Sequence, residues 1–443
     1  MQTLEQLRAG ALTGTRHLKL GGGLKTFPEE IFTLADTLEV LDLSGNALTE
    51  LPERLPELRR LRVLFCSGNP FQVLPAVVGA CEELTMVGFK SCYIERVPPA
   101  ALPPRLRWLI LTDNRLEALP PEIGHCEALQ KLMLAGNRLR ALPESLAACR
   151  RLELLRIAAN RLTALPGWLT RMPRLAWVAL GGNPFCADEE RTIDGGISWT
   201  ELRTGKRLGE GASGVIHEAL HGTGDGPFRA VAVKVFKGAV TSDGLPASEM
   251  AACLRAGTHA HLIPVLGPLL DHPEQARGLV MARIDSRFQS LAGPPSLASC
   301  TRDVYPERIR FSLRSVLALA GRVASVVAHL HRRGVLHGDL YAHNILHDGE
   351  GGCLLGDFGA ASCLPGQGDR AGLERIEVRA FGCLLEELLA RCQAGSPEEA
   401  VVLTRLRALE AACLDEDVAA RPGFQAIQAR LVALGAHFFP LPV

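Results

Sequence analysis

The chain has 443 residues, 47% of them apolar, with 48 Lys plus Arg balanced by 48 Asp plus Glu. That length exceeds what one ordinary core organises, so two domains are expected. Balanced charge provides no overall basic field for a nucleic-acid backbone or an anionic membrane surface, so neither is expected as a partner.

The start, Met1 to Gly14, mixes Glu5 and Arg8 with isolated leucines and lacks the continuous apolar core of a secretory signal. Apolar runs such as Val323 to Leu330 are shorter than a bilayer-spanning helix requires. The 13 cysteines are an odd count, with no Cys-x-x-Cys pair and no histidine at zinc-site spacing. They read as reduced, buried thiols, and the expected location is cytoplasmic.

A repeat dominates the N-terminal half. Leu38, Leu41, Leu43, Asn46 and Leu48, followed by Leu51-Pro52, recur with the leading leucine at 61, 84, 106, 129, 152 and 175, and a degenerate first copy runs from Leu18 to Pro28. Leucines alternating along a short strand, such as Leu109 and Leu111, point inward. Asn114, Asn137, Asn160 and Asn183 are placed to bond backbone groups at the turn leaving the strand. One copy cannot bury its apolar face, and stacked copies do it for each other. This pattern over residues 15 to 185 resembles the leucine-rich repeat family, which implies an α/β solenoid for a domain at 1–187. Outward strand positions Phe65, Trp108, Ile110, Met133, Leu154 and Trp177 form an apolar concave face. Such a face is expected to bind protein, either a partner or the other half of this chain. A charged, Gly-containing junction, 188–202, follows.

The C-terminal half opens on Leu208-Gly209-Glu210-Gly211-Ala212-Ser213-Gly214-Val215-Ile216. Glycines let a backbone lie close over phosphates and present its N–H groups. The run continues into an alternating strand, Ala230 to Phe236, that carries Ala232 and Lys234 rather than into the helix a dinucleotide fold requires. Farther on come His337-Gly338-Asp339-Leu340-Tyr341-Ala342-His343-Asn344 and Asp357-Phe358-Gly359. Together, in this order, these motifs resemble the protein kinase family over about residues 203 to 435.

The resemblance implies an α+β two-lobed kinase-like domain, 203–443, that uses ATP and Mg²⁺. It implies that Leu208, Gly209, Glu210, Gly211, Ala212, Ser213, Gly214, Ile216, Ala232, Lys234 and Met281 bind the nucleotide, with Lys234 oriented by Glu249. Asp339 is implied as the base that accepts the hydroxyl proton, and Asn344 and Asp357 as metal ligands. Five histidines between His329 and His347 are too irregularly spaced for one metal site and read as packing.

Several positions depart from the family. Gly338 replaces the arginine that pairs with a phosphorylated activation segment, and that segment offers only Ser362 as a phosphorylatable residue, so activation by phosphorylation is not expected. Tyr341 stands where serine/threonine kinases carry a lysine, and a protonated His343 is expected to replace part of that charge. No Ala-Pro-Glu precedes Glu377, which leaves Glu374 as the expected partner of Arg421. The sequence supports a protein kinase, expected to act on serine or threonine. The alternatives are a weakly active or inactive kinase-like scaffold working through its repeats, and a small-molecule kinase similar to the aminoglycoside phosphotransferases, which share the His-Gly-Asp-Leu loop.

Overall fold

The computed structural model describes residues 2–186, 195–211, 213–222, 227–238, 240–241, 243–364, 366 and 368–438, the side chains of 437 and 438 excepted. The chain divides into two compact units, Met1–Met172 and Pro173–Val443.

After a five-residue helix, α1 (Leu4–Arg8), the first unit is a stack of parallel three-residue strands. They are β1 (His17–Lys19), β2 (Val40–Asp42), β3 (Val63–Phe65), β4 (Met86–Gly88), β5 (Trp108–Ile110), β6 (Lys131–Met133) and β7 (Leu154–Arg156). Side chains alternate across each strand, so the repeat period places the middle residue of every copy in the same column. Leu41, Leu64, Val87, Leu109, Leu132 and Leu155 are register partners in succession, and all are buried. Short 3₁₀ segments return the chain along the other side.

Asparagines hold the turns together. The Asn137 side chain accepts from Leu116 N–H at 3.0 Å and donates to the carbonyls of Leu111 and Leu134 at 2.8 and 2.9 Å. Asn46, Asn69, Asn114 and Asn160 repeat this arrangement between successive copies. An Asn137→Ala variant strands three buried main-chain groups. It is expected to lose about 2–4 kcal/mol, seen as a lower denaturant midpoint. An unchanged midpoint would show that the ladder is not a source of stability.

The apolar strand positions are less open than their pattern implies. Phe65, Trp108 and Ile110 are half-buried, with the Lys131 ammonium 4.2 Å from the Trp108 ring centre. Met133, Leu154 and Trp177 are buried, which corrects the expectation of one continuous exposed face.

The second unit begins with the last repeat, including β8 (Trp177–Ala179). The division thus falls at 172/173, ahead of the 187 limit expected from the repeat pattern. Of the expected junction, residues 188–194 lie outside the described residues. Its remainder forms β9 (Ile197–Ser198) and a 3₁₀ turn, Trp199–Glu201.

A sheet follows, built from β10 (Leu202–Glu210), β11 (Gly214–His221), β12 (Arg229–Phe236), β13 (Val265–Leu270) and β14 (Gly278–Ala282), in the order β10-β11-β12-β14-β13-β9. One face packs Leu202, Ala219, Val231, Val233, Leu269 and Val280 into a core. Helix α2 (Pro246–Ala256) lies between β12 and β13 in the chain. The remainder is mostly helical: α3 (Leu313–Arg332), α4 (Arg370–Leu389), α5 (Pro397–Cys413) and α6 (Phe424–Phe438). Short strand pairs carry the loops of interest. These are β15 (Gln289–Ser290), β17 (Ile345–His347) and β18 (Cys353–Leu355) in one sheet, and β16 (Val335–Leu336) with β19 (Ser362–Cys363) in another.

Helix α3 revises the reading of Val323 to Leu330. It is 20 residues long and passes by length and composition as a membrane span, but 61% of that window is buried within the protein, as in a core helix. The 13 cysteines are all buried and unbridged. Burial pushes the thiols of Cys81 and Cys149 up to about 12, which leaves them protonated and inert.

Candidate active site

The glycine run bends from β10 into β11, closed by Gly211 N–H donating to Gly214 carbonyl at 2.9 Å. Its three glycines are not equivalent. A Cβ on Gly214 would sit 2.6 Å from the Val235 carbonyl, so this glycine serves strand packing. Gly209 and Gly211 face open space, where an approaching group meets bare backbone. Ala212 lies outside the described residues. Ser213 is buried, Leu208 is 44% exposed, and the Glu210 carboxylate pairs with Lys237 and Arg207.

Register places the other expected nucleotide residues on one sheet face. Ile216 is opposite Lys234 across β11 and β12, and Ala232 is opposite Met281 across β12 and β14. Alternation then sends Val231 and Val233 to the core side. The Lys234 ammonium meets the Glu249 carboxylate of α2, and both side chains are buried. Burial opposes charge on Lys234, but Glu249 and Asp357 outweigh it and raise its pKa, so the lysine is held as a cation.

Catalytic-loop geometry follows from three anchors. Asn344 uses its amide N–H group to reach the Asp339 carbonyl and carboxylate, each at 2.9 Å, which turns its amide oxygen the other way. Buried His337 bonds the Gly356 carbonyl at 2.9 Å and accepts from Asp339 N–H at 3.3 Å, tying this loop to the strand that presents Asp357. Glu377 of α4 accepts from Gly338 N–H at 2.8 Å and bonds the His331 ring at 2.7 Å. Its burial favours the neutral acid, yet the His331 and Gly338 bonds keep it below the usual carboxylate range.

Asp357 is exposed, with a left-handed backbone (φ 48°), and accepts from Gly359 N–H at 3.1 Å. An oxygen from Asn344 and a carboxylate from Asp357 form a hard donor set suited to Mg²⁺ rather than to a thiophilic ion. His343 bonds Asp303, which is fully buried, through its ring at 2.7 Å and its N–H at 3.0 Å. Burial pushes the imidazole down, but Asp303, Asp339 and Asp357 reverse this and raise its pKa above 6.5.

One expectation is corrected. Glu374 does not pair with Arg421. It pairs with Arg370 at 2.9 Å, while Arg421 donates to the carbonyls of Asp415, Arg375 and Pro173. Buried in this way, Arg421 is lowered to about 10. Ser362 is fully buried in β19, where its hydroxyl accepts from Leu180 and Gly181 N–H, each at 3.0 Å. Its hydroxyl is a structural linchpin of the last repeat, not an accessible phosphorylation site. Sequence reasoning missed Glu377 and Asp303. A carboxylate inside the apolar run of α4 was the one visible signal; Asp303 carried none.

A glycine-rich strand turn, a buried lysine–glutamate pair, and an aspartate–asparagine loop facing a second aspartate together define a phosphoryl-transfer fold of the protein kinase class. Consistent with that class, residues 202–378 match the family described as protein tyrosine and serine/threonine kinase, and residues 37–58 and 104–162 match leucine-rich repeat families. The chain carries a leucine-rich repeat array followed by a protein kinase domain.

Among curated relatives, it is similar to the human PH domain leucine-rich repeat-containing protein phosphatase 1, 33% identical over 108 residues, covering 23% of this chain and 6% of that protein. It is also similar to mouse leucine-rich repeat and calponin homology domain-containing protein 1, 31% identical over 112 residues, covering 25% of this chain and 16% of the other. A solved leucine-rich repeat protein of Leptospira interrogans aligns at 31% identity with a TM-score of 0.32, over 38% of this chain and 47% of its own. The chain thus spans a small part of the curated relatives it matches.

Proposed function

We propose that this protein is an active protein kinase that transfers the γ-phosphate of ATP to a serine or threonine hydroxyl of a protein. The observation that carries this reading is the buried Lys234–Glu249 pair on the same unit as an Asp339 oriented by Asn344. Asn344 and Asp357 would hold Mg²⁺, which would supply neutralisation of phosphate charge. Lys234 anchors phosphate oxygens, with Gly209 and Gly211 giving close backbone approach. Asp339 accepts the proton of the acceptor hydroxyl. The repeats are proposed to recruit the protein substrate or a regulatory partner, and the chain to work in the cytoplasm.

His343 is assigned the charge that a lysine supplies in serine/threonine kinases. Its raised pKa sets the sign: the imidazolium is present below that pKa and lost as pH rises through it. Turnover is expected to fall as pH is raised from about 6 to 8, and His343→Gln is expected to flatten the profile at a lower rate. A wild-type rate that is level over this range would remove His343 from the mechanism.

The second reading, a scaffold with little activity, is favoured by the absent Ala-Pro-Glu and by Gly338. Incubation with Mg²⁺ and γ-labelled ATP plus a generic protein acceptor separates the two: label transfer supports the kinase, and nucleotide binding without transfer supports the scaffold.

A further inference from the structure

The segment Pro173–Cys186 belongs to the repeat array by sequence, yet it is part of the same compact unit as the catalytic loop. Its contacts are concentrated around Asp339. The Trp177 indole stacks on Tyr341, with centroids 4.2 Å apart and planes 8° from parallel, and its N–H donates to the Leu340 carbonyl at 3.1 Å. The Val178 carbonyl lies against Gly338, where a Cβ would approach it to 2.4 Å. Leu180 and Gly181 donate to Ser362, just after Asp357-Phe358-Gly359. Farther from the loop, Arg421 and Arg379 donate to the carbonyls of Pro173 and Arg174 at 2.6 and 3.1 Å.

The short segment Trp177–Gly181 therefore touches the residue before Asp339, the two residues after it, and the segment that follows Asp357. Gly338 is gripped from two sides, by the Glu377 carboxylate on its N–H and by the Val178 carbonyl over its Cα. No side chain fits there, so the arginine found in related kinases has been replaced by a neighbouring backbone. The Ser362 hydroxyl, which would report phosphorylation, is instead tied to the end of the same segment.

We propose that Trp177 is a positioning residue of the kinase reaction, and that the last repeat holds the catalytic loop in place permanently, doing by packing what a phosphorylated activation segment does by charge. This rests on the reading of the domain as an active kinase. The physical basis is that both neighbours of Asp339 are fixed by this segment, and displacement of a catalytic group by about 1 Å costs about 10²-fold in rate.

The test uses full-length wild type, Trp177→Ala and Trp177→Phe. Label transfer gives kcat and the KM for ATP, nucleotide titration gives affinity, and hydrogen exchange reports on the loop whether or not transfer occurs. Trp177→Ala is expected to lower kcat by about 10²-fold with KM and nucleotide affinity within about twofold of wild type. Exchange should quicken over 338–344 and 360–364 but not over 208–216 or 230–236. Trp177→Phe keeps a stacking ring without the N–H, and should recover most of kcat while exchange at Leu340 and Tyr341 stays faster than in wild type. It also serves if the alanine variant does not fold.

Unchanged exchange over 338–344, quickening spread evenly through both lobes, or a rise in kcat would each overturn the proposal. If wild type transfers no label, the kinase reading fails, and the exchange pattern still decides whether Trp177 holds the loop.

Discussion

Lys234→Met is expected to abolish measurable transfer and to destabilise the domain at the same time. The two effects have separate causes. Lys234 is the cation assigned to the phosphates, and removal of such a group from a water-poor site costs at least about 10²-fold in rate. Structurally, Lys234 is the partner of Glu249, which is 3% exposed. Leaving that carboxyl without its cation is expected to cost about 3 kcal/mol, moderated because burial already pushes Glu249 towards its neutral form. A Lys234→Met/Glu249→Gln double variant should regain much of the thermal stability and none of the transfer. Recovery of transfer in the double variant would show that Lys234 acts only through folding.

Gly338→Ala is expected to be among the most destabilising single-methyl additions in the protein. The residue has φ 73°, where a Cβ is strained, and that Cβ would lie 2.4 Å from the Val178 carbonyl and 2.7 Å from the Ala360 carbonyl. Both neighbours are backbone, so neither can swing aside. Conformational strain alone costs about 1–2 kcal/mol, and relieving the overlap adds a further ~1–3 kcal/mol. Calorimetry should show a fall in Tm of several degrees, with Gly338→Arg worse rather than better. A stable, active Gly338→Arg protein would mean that the Val178 carbonyl does not lie against Gly338.

What was legible in the sequence was whatever lies close together in it. The repeat fixed the column of Leu109 and its partners and the Asn137 ladder, because each bond joins positions about one repeat apart. The order of Lys234, Asp339, Asn344 and Asp357 pointed to a candidate site for a different reason, because that order is itself the motif. Features built by distant segments were illegible. Trp177 occupies the same strand position as Trp108 and so read as concave surface, yet its cover comes from Leu340 and Tyr341, far along the chain. Asp303 sits in a stretch without periodicity, and only the fold brings it to His343. Arg421 was given a carboxylate partner by analogy, whereas carbonyls of the last repeat and of neighbouring turns surround it.

Under the proposed function, this loop performs phosphoryl transfer without help from activation-segment phosphorylation. The most direct measurement is transfer from γ-labelled ATP and Mg²⁺ by purified full-length protein pretreated with phosphatase, with a generic protein acceptor, beside Asp339→Asn. Label is expected on serine or threonine of the acceptor, with a loss of at least about 10²-fold in the Asp339→Asn protein and nucleotide affinity retained. Nucleotide binding with no transfer by the wild type, or transfer that survives Asp339→Asn, would contradict it.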